Sequence, residues 1–271
     1  MKNLSLLLFF FLCLCIKGYC QGYNFDHFTI NEGLSNNAVL CSVQDRIGFL
    51  WFGTEVGLNR FDGYTFKKYF SDIDEKNGLG TNYFTCLLVD QKNRLWVGTD
   101  NGLYKFLNEK DSFVLVLATK MKEITEIQQD KHGKIWFISN YKLFSFDPNK
   151  STEPKLECNG KTVTSITKNK EGEIWFSTHE GIFHINQSQA ILFNTLKNIK
   201  SINVEVLFFD INDNLWIGSQ HHGLLKFDQK NQKLELVLAT VKKGTKLFVR
   251  DIKCYNPSEL WIASESGLIV Y

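Results

Sequence analysis

Chemistry in this chain would have to come from a small set of side chains. His221 and His222 stand side by side, and His179 precedes Glu180. A histidine pair suggests a metal, but neighbours at a strand end point to opposite sides, and no third His or Cys lies at ligand spacing. Acid-base catalysis needs two groups at a defined separation. Carboxylates recur all along the chain, so no general acid and base stand out. No catalytic residue, metal or cofactor is therefore assigned. Of the seven cysteines, Cys13, Cys15 and Cys20 fall in a leader segment. Cys41, Cys86, Cys158 and Cys254 form no CxxC pair and read as small buried hydrophobes, with no spacing that frames a disulfide.

Binding is the better use of the polar set. Asn36, Asn37, Glu55, Asn82, Tyr83, Asp100, Asn140, Tyr141, His179, Glu180, His221, His222 and Glu265 combine amide, carboxylate and aromatic groups. Those types together suit the hydroxyls and ring faces of a carbohydrate. They fall at two recurring places in a repeat, and the repeat must position them.

The six tryptophans, Trp51, Trp96, Trp136, Trp175, Trp216 and Trp261, are 39 to 45 residues apart. Each sits in one pattern: Asp, a few turn residues with Gly, an aliphatic, Trp, a hydrophobe, a small residue, Ser or Thr, two polar residues, Gly, Leu, and an aromatic. The fullest copies are DRIGFLWFGTEVGLNRF from Asp45 and DQKNRLWVGTDNGLYKF from Asp90. Asp and Gly make a tight turn, the Trp segment reads as a strand, and the second Gly turns the chain into a third strand. Twelve residues before each Trp stands a hydrophobe, Val39, Phe84, Ile124, Val163, Val204 or Val249, which places a first strand there. A fourth follows the third, as in Thr65 to Phe70. Four antiparallel strands per period predict a β-propeller blade, with the Trp in the core. The candidate binding residues then lie on one face, in the turn between second and third strands and in the loop leading into each first strand.

The copies vary. Lys142 replaces the turn Gly in the third, Asn169 replaces Asp in the fourth, the fifth has one extra residue before Gly223, and Tyr255 replaces Asp in the sixth. At the other end, Phe25 to Ile30 resembles a fourth strand and is expected to latch the last blade, covering an open edge.

Lys2 and the apolar run Leu6 to Ile16 predict a signal peptide over residues 1–20, cut after Cys20, with acylation of Cys20 as the alternative. The run is too short to span a membrane. Without the leader the charge balances, so no nucleic-acid footprint follows. Residues 21–271 are then one exported domain, periplasmic or secreted.

With its GLSNN start (Gly33 to Asn37) and its FLWFGTEVGLNRFD segment (Phe49 to Asp62), the chain resembles the two-component regulator propeller family. The resemblance implies the sensor half of hybrid histidine kinases. There, two seven-bladed propellers precede a β-sandwich, a membrane helix and a kinase, and many members recognise oligosaccharides. It implies an oligosaccharide ligand and a homodimer through the propeller. This chain shows no membrane helix, no phosphorylatable His in a helical dimerisation region and no receiver Asp. It reads as a non-enzymatic ligand sensor, most of one N-terminal propeller. The expected fold is all-β, six four-stranded blades of an incomplete seven-bladed propeller. The alternatives are a lyase or hydrolase of the streptogramin-lyase type, suggested by Gly172 to Phe176 (GEIWF), and a non-catalytic scaffold.

Overall fold

A computed structural model describes residues 23–71, 78–151, 153–186, 189–193, 202–228, 231, 233–241 and 244–271. The leader expected over residues 1–20 lies outside the described residues.

Six antiparallel sheets form in chain order. Blade 1 holds β1 (Val39–Gln44), β2 (Leu50–Thr54), β3 (Gly57–Phe61) and β4 (Phe66–Tyr69). Blade 2 holds β5 (Phe84–Val89), β6 (Leu95–Thr99), β7 (Gly102–Leu107) and β8 (Ser112–Leu115). Blade 3 holds β9 (Ile124–Gln129), β10 (Ile135–Ser139), β11 (Lys142–Phe146) and β12 (Lys155–Leu156). Blade 4 holds β13 (Val163–Lys168), β14 (Ile174–Thr178), β15 (Gly181–Asn186) and β16 (Gln189–Leu192). Blade 5 holds β17 (Val204–Phe209), β18 (Leu215–Ser219), β19 (Gly223–Asp228) and β20 (Lys233–Leu238). Blade 6 holds β21 (Val249–Asn256), β22 (Glu259–Ser264) and β23 (Gly267–Val270). Every sheet is a meander, and the sole helical turn among the described residues is a 3-10 turn at Leu117–Thr119. These are the six blades that the tryptophan spacing predicts, and they form a six-bladed propeller and not part of the seven-bladed one that the resemblance implies.

The hydrophobic cores lie between blades. Trp51 packs with Leu95, Val97 and Phe106 of blade 2, and Trp96 with Ile124, Ile127 and Ile135 of blade 3. Trp136 meets Val163 and Ile166, Trp175 borders Val204 and Leu207, and Trp216 meets Val249 and Ile252. A sheet hydrophobic on both faces is covered only by its neighbours, so the ring and the blades stabilise each other. The small residue two after the Trp sets the approach. A Cβ on Gly53 would lie 2.9 Å from the Cβ of Phe84, and one on Gly218 would lie 2.5 Å from a methyl of Val249. In blades 2, 3 and 6 the hydrophobe twelve before the Trp (Phe84, Ile124 and Val249) thus sits against the preceding blade's second strand.

The junction between blades 6 and 1 differs. Val39 is 43% exposed, while Phe84, Ile124, Val163 and Val249 are fully buried. Leu268 is 54% exposed, while its counterparts Leu58, Leu103, Leu143, Ile182 and Leu224 are fully buried. The strand expected over Phe25 to Ile30 does not form. Tyr23 and Phe25 instead lay their rings on Trp261 at 5.0 and 6.4 Å, and Phe28 packs on Phe61 and Phe66 at 5.1 and 5.8 Å. A segment that touches blade 6 at one end and blade 1 at the other cannot run along one sheet edge. It bridges the junction by aromatic contact and not by a ladder.

Candidate functional site

In the four blades that keep it, the Asp of the repeat has two tasks. In blade 2, Asp90 Oδ1 accepts the amides of Lys92 and Arg94 at 2.8 and 2.9 Å, closing the turn, while Oδ2 accepts the indole N–H of Trp96 at 2.9 Å. Asp45, Asp130 and Asp210 repeat the arrangement, with indole bonds of 2.9, 2.8 and 2.8 Å. The turn thereby fixes the second strand, and the second strand carries at its other end the loop with the candidate binding residues.

That loop has its own staple. Thr54, Thr99, Thr178 and Ser264 donate to the carbonyls of Gly57, Gly102, Gly181 and Gly267 at 2.7, 2.8, 3.2 and 2.7 Å. Each hydroxyl also accepts an amide from within the turn, as Thr99 does from Asn101. Blade 3 departs from this. Asn140 and Tyr141 both adopt left-handed backbone, at φ 48° and 57°, and the buried hydroxyl of Ser139 has no partner. A two-residue turn with both φ positive is favoured by Asn-Gly, so a Tyr here is strained, and strain held at a loop tip marks a place where side-chain direction matters.

The turns and the leading loops share one face. The amide of Gly57 bonds the carbonyl of Asn82 at 2.8 Å, that of Met121 the carbonyl of Asn101 at 3.1 Å, and that of Val163 the carbonyl of Tyr141 at 2.8 Å. These bonds tie the turn of one blade to the leading loop of the next. The thirteen candidate residues then separate into two sets. Asn36 caps the amide of Ala38 at 2.7 Å, Asn37 that of Ile30 at 3.0 Å, and Asn82 that of Ser71 at 2.6 Å. Asp100 accepts from Thr81 at 2.6 Å, Glu180 pairs with Lys161 at 2.6 Å, and Glu265 with Arg250 at 2.8 Å. These six side chains build the face. Glu55, Tyr83, Asn140, Tyr141, His179, His221 and His222 project from it, and their side chains take no hydrogen bond among the described residues. His179 belongs to the blade 4 turn and His221 and His222 to blade 5. Among the described residues, no three His, Cys, Asp or Glu side chains gather as a metal site.

Sequence reading missed a second group. In all six blades the pairing of first and second strands slips by one residue at the same place, between Val39 and Cys41 in blade 1 and between Phe84 and Cys86 in blade 2. Blades 3 to 6 slip likewise. The residue left over, eleven before the Trp, is Leu40, Thr85, Thr125, Thr164, Glu205 or Arg250. Such a bulge re-aims side chains, here at the start of the strands that surround the axis. Those strands enclose a central channel of about 600 Å³, lined by Leu40, Thr85, Glu126, Ser165, Glu205 and Arg250 among others. The fixed spacing to the Trp is the signal that could have found it.

Glu126 is the unusual channel group. Its Oε2 accepts the amide of Ile166 at 2.7 Å and the hydroxyl of Ser165 at 3.2 Å, both on β13. In blades 1, 2 and 5 the corresponding Cys41, Cys86 and Val206 lie under a glycine, whereas in blade 3 Ile138 stands opposite Glu126, which bonds across to blade 4. Burial pushes its carboxyl up to about 8, only partly offset by the two donors.

The propeller thus presents a face of exposed loop residues around a central channel. Residues 33–56 and 78–101 match the Two component regulator propeller family. A stretch of 78 residues, 28% of this chain, is 42% identical to Histidine kinase P4 of Formosa agariphila, of which it covers 6%. Two extracellular domains of hybrid two component systems from B. thetaiotaomicron share the fold. One matches 92% of this chain and 35% of its own length at 24% identity and TM-score 0.72; the other matches 92% and 37% at 20% identity and TM-score 0.74. The chain thus spans about a third of those domains. Virginiamycin B lyase of Staphylococcus aureus also has this fold, at 15% identity and TM-score 0.66 over 88% of this chain and 81% of the lyase. No helix among the described residues is long and apolar enough to cross a membrane.

Proposed function

We propose that this chain is an extracytoplasmic, non-catalytic ligand-sensing propeller of a two component system, and that its ligand is an oligosaccharide bound on the loop face. The observation that carries the reading is the division of labour on that face. Six candidate residues are spent on holding the loops, and seven exposed ones, including Tyr141 on its strained turn, are left to meet a ligand. An exposed Tyr held by backbone is a stacking platform for a sugar ring, and amides and carboxylates beside it serve hydroxyls. The lyase reading requires a His paired with a carboxylate, and Glu180, next to His179, is engaged by Lys161.

Titration of an oligosaccharide panel against the purified chain tests this. Tyr141→Ala and Tyr83→Ala are expected to weaken the binding glycan roughly tenfold each, about 1.4 kcal/mol, with unchanged melting temperature. Unaltered affinity in both would remove the loop face as the site. Export predicts a mature N-terminus at Gln21 by mass spectrometry, and a full-length intracellular product would contradict it. Sedimentation of the chain with and without glycan tests whether a second copy joins through the propeller.

A further inference from the structure

The channel contains carboxylates that are paired and one that is not. Glu205 bonds Arg250 at 3.0 Å, and Asp251 bonds Lys253 at 3.2 Å. The ammonium of Lys168 donates to the carbonyl of Gln129 at 3.3 Å. Glu126 has no ion-pair partner among the described residues, and both of its donors converge on Oε2. A carboxylate enclosed by protein without a cation is costly unless it is protonated or a cation joins it.

We propose that the central channel is a second binding site, for a small polyhydroxylated amine, with Glu126 Oε1 receiving its ammonium group and the channel hydroxyls its OH groups. The site rests on the ligand-sensing reading but uses the channel wall in place of the loop face. Oε1 takes no hydrogen bond among the described residues, while Ser165 and Ile166 hold the carboxyl through Oε2. Ser165 is itself fixed, since its hydroxyl accepts the amide of Leu207 on β17 at 3.1 Å, so three consecutive blades orient one carboxyl. The wall adds hydroxyl and amide groups from Ser42, Thr85, Thr125, Gln128 and Thr167, and its volume of about 600 Å³ accommodates a mono- or disaccharide-sized molecule. Glu205 and Asp251 are already paired with Arg250 and Lys253, so the carboxyl an ammonium would meet, and to which it would donate hydrogen bonds, is that of Glu126.

Binding of the ammonium requires the ionised carboxylate, and burial favours the protonated form, so at neutral pH the amine displaces a proton. The charged and titratable groups that line the channel with Glu126 are Cys41 from β1, Cys86 from β5, Lys168 from β13, Glu205 from β17, and Arg250, Asp251 and Lys253 from β21. Asp251 and Lys253 oppose each other in their effect on Glu126, and the Cys86 thiol is itself pushed well up by burial and stays neutral.

Calorimetric titration of the whole chain with glucamine and with sorbitol, which differ by one amine for hydroxyl, tests the proposal. Glucamine is expected to bind at least tenfold more tightly, with heat that varies with the ionisation enthalpy of the buffer. Its affinity should rise roughly tenfold per pH unit from pH 6 to 7.5. Glu126→Gln should reduce it to the level of sorbitol. Should that variant not fold, the proton release and the pH slope of the wild-type chain decide. Equal binding of the two polyols, no binding of either, or glucamine binding without proton release overturns the proposal. Oligosaccharide binding that is lost in Tyr141→Ala but retained in Glu126→Gln would leave the loop-face reading standing while the channel reading falls.

Discussion

Blades 2 and 4 have the same strands, the same turn length and a Trp at the same place, yet one Trp is satisfied and the other is not. Asp90 offers two oxygens, one to the turn amides and one to Trp96. Asn169 offers one. Its Oδ1 accepts the amide of Glu173 at 2.8 Å, its Nδ2 donates to the Glu173 carboxylate at 3.1 Å, and the buried indole N–H of Trp175 has no partner among the described residues. Blade 6 shows the same loss by another route, because Tyr255 stands at the Asp position and Trp261 is orphaned too. A turn can thus be rebuilt by substitutes, but the link from turn to core needs a carboxylate. Blades 4 and 6 are expected to be the weaker sectors of the ring, as an unsatisfied buried donor costs about 1–3 kcal/mol.

The largest effect is expected from the core side of that link. Trp96→Ala should cost about 3–5 kcal/mol in denaturant unfolding, since the ring fills the space between blades 2 and 3. A loss under about 1 kcal/mol, joined to loss of glycan binding, would make it a ligand platform instead. Asp90→Asn should copy blade 4 into blade 2, leaving Trp96 unpaired, at about 1–3 kcal/mol. If that variant is as stable as the parent, the indole bond is not what separates the two blades. The reverse exchange, Asn169→Asp with Glu173→Lys, reproduces the Asp130 and Lys134 pair of blade 3 and avoids two facing carboxylates. It should stabilise by about 1 kcal/mol, read as a higher urea midpoint.

Proton titration gives the smaller tests. Burial alone would raise the Asp90 and Asp210 carboxyls, but the indole and turn donors outweigh it and hold both below the ordinary Asp range. A lowered native value stabilises above the unfolded pKa of about 4 and loses that stabilisation as pH falls through the native one. Asp90→Asn should therefore flatten the acid limb below about pH 4, and an unchanged limb would contradict the assignment. Glu126 runs the opposite way. With its native carboxyl raised to about 8, the folded chain holds the proton more tightly than the unfolded chain, so stability falls as pH rises from the ordinary Glu range toward 8. Glu126→Gln should remove that slope in melts between pH 5 and 8.

The sequence by itself determined the number of blades, the four-strand order of the intact ones and the burial of Trp51, Trp96, Trp136 and Trp216. Those follow from local rules: turn residues at fixed offsets, a period near 40, and hydrophobes at constant distance from each Trp. It also placed the loops that share the candidate face, because turns at the same point of each repeat must emerge on the same side. Tertiary structure alone decided the rest. Asn37 and Asn82 read as free loop amides in one dimension, and the fold brings them to the amides of Ile30 and Ser71, seven and eleven residues away. Glu126 reads as an ordinary strand residue until blade 4 is set beside it, with Ile138 opposite. The exposure of Val39 and Leu268 also has no local cause. Both have the residue type of a buried position, and burial depends on which sheet stands opposite, a matter of packing between blades that no single repeat encodes.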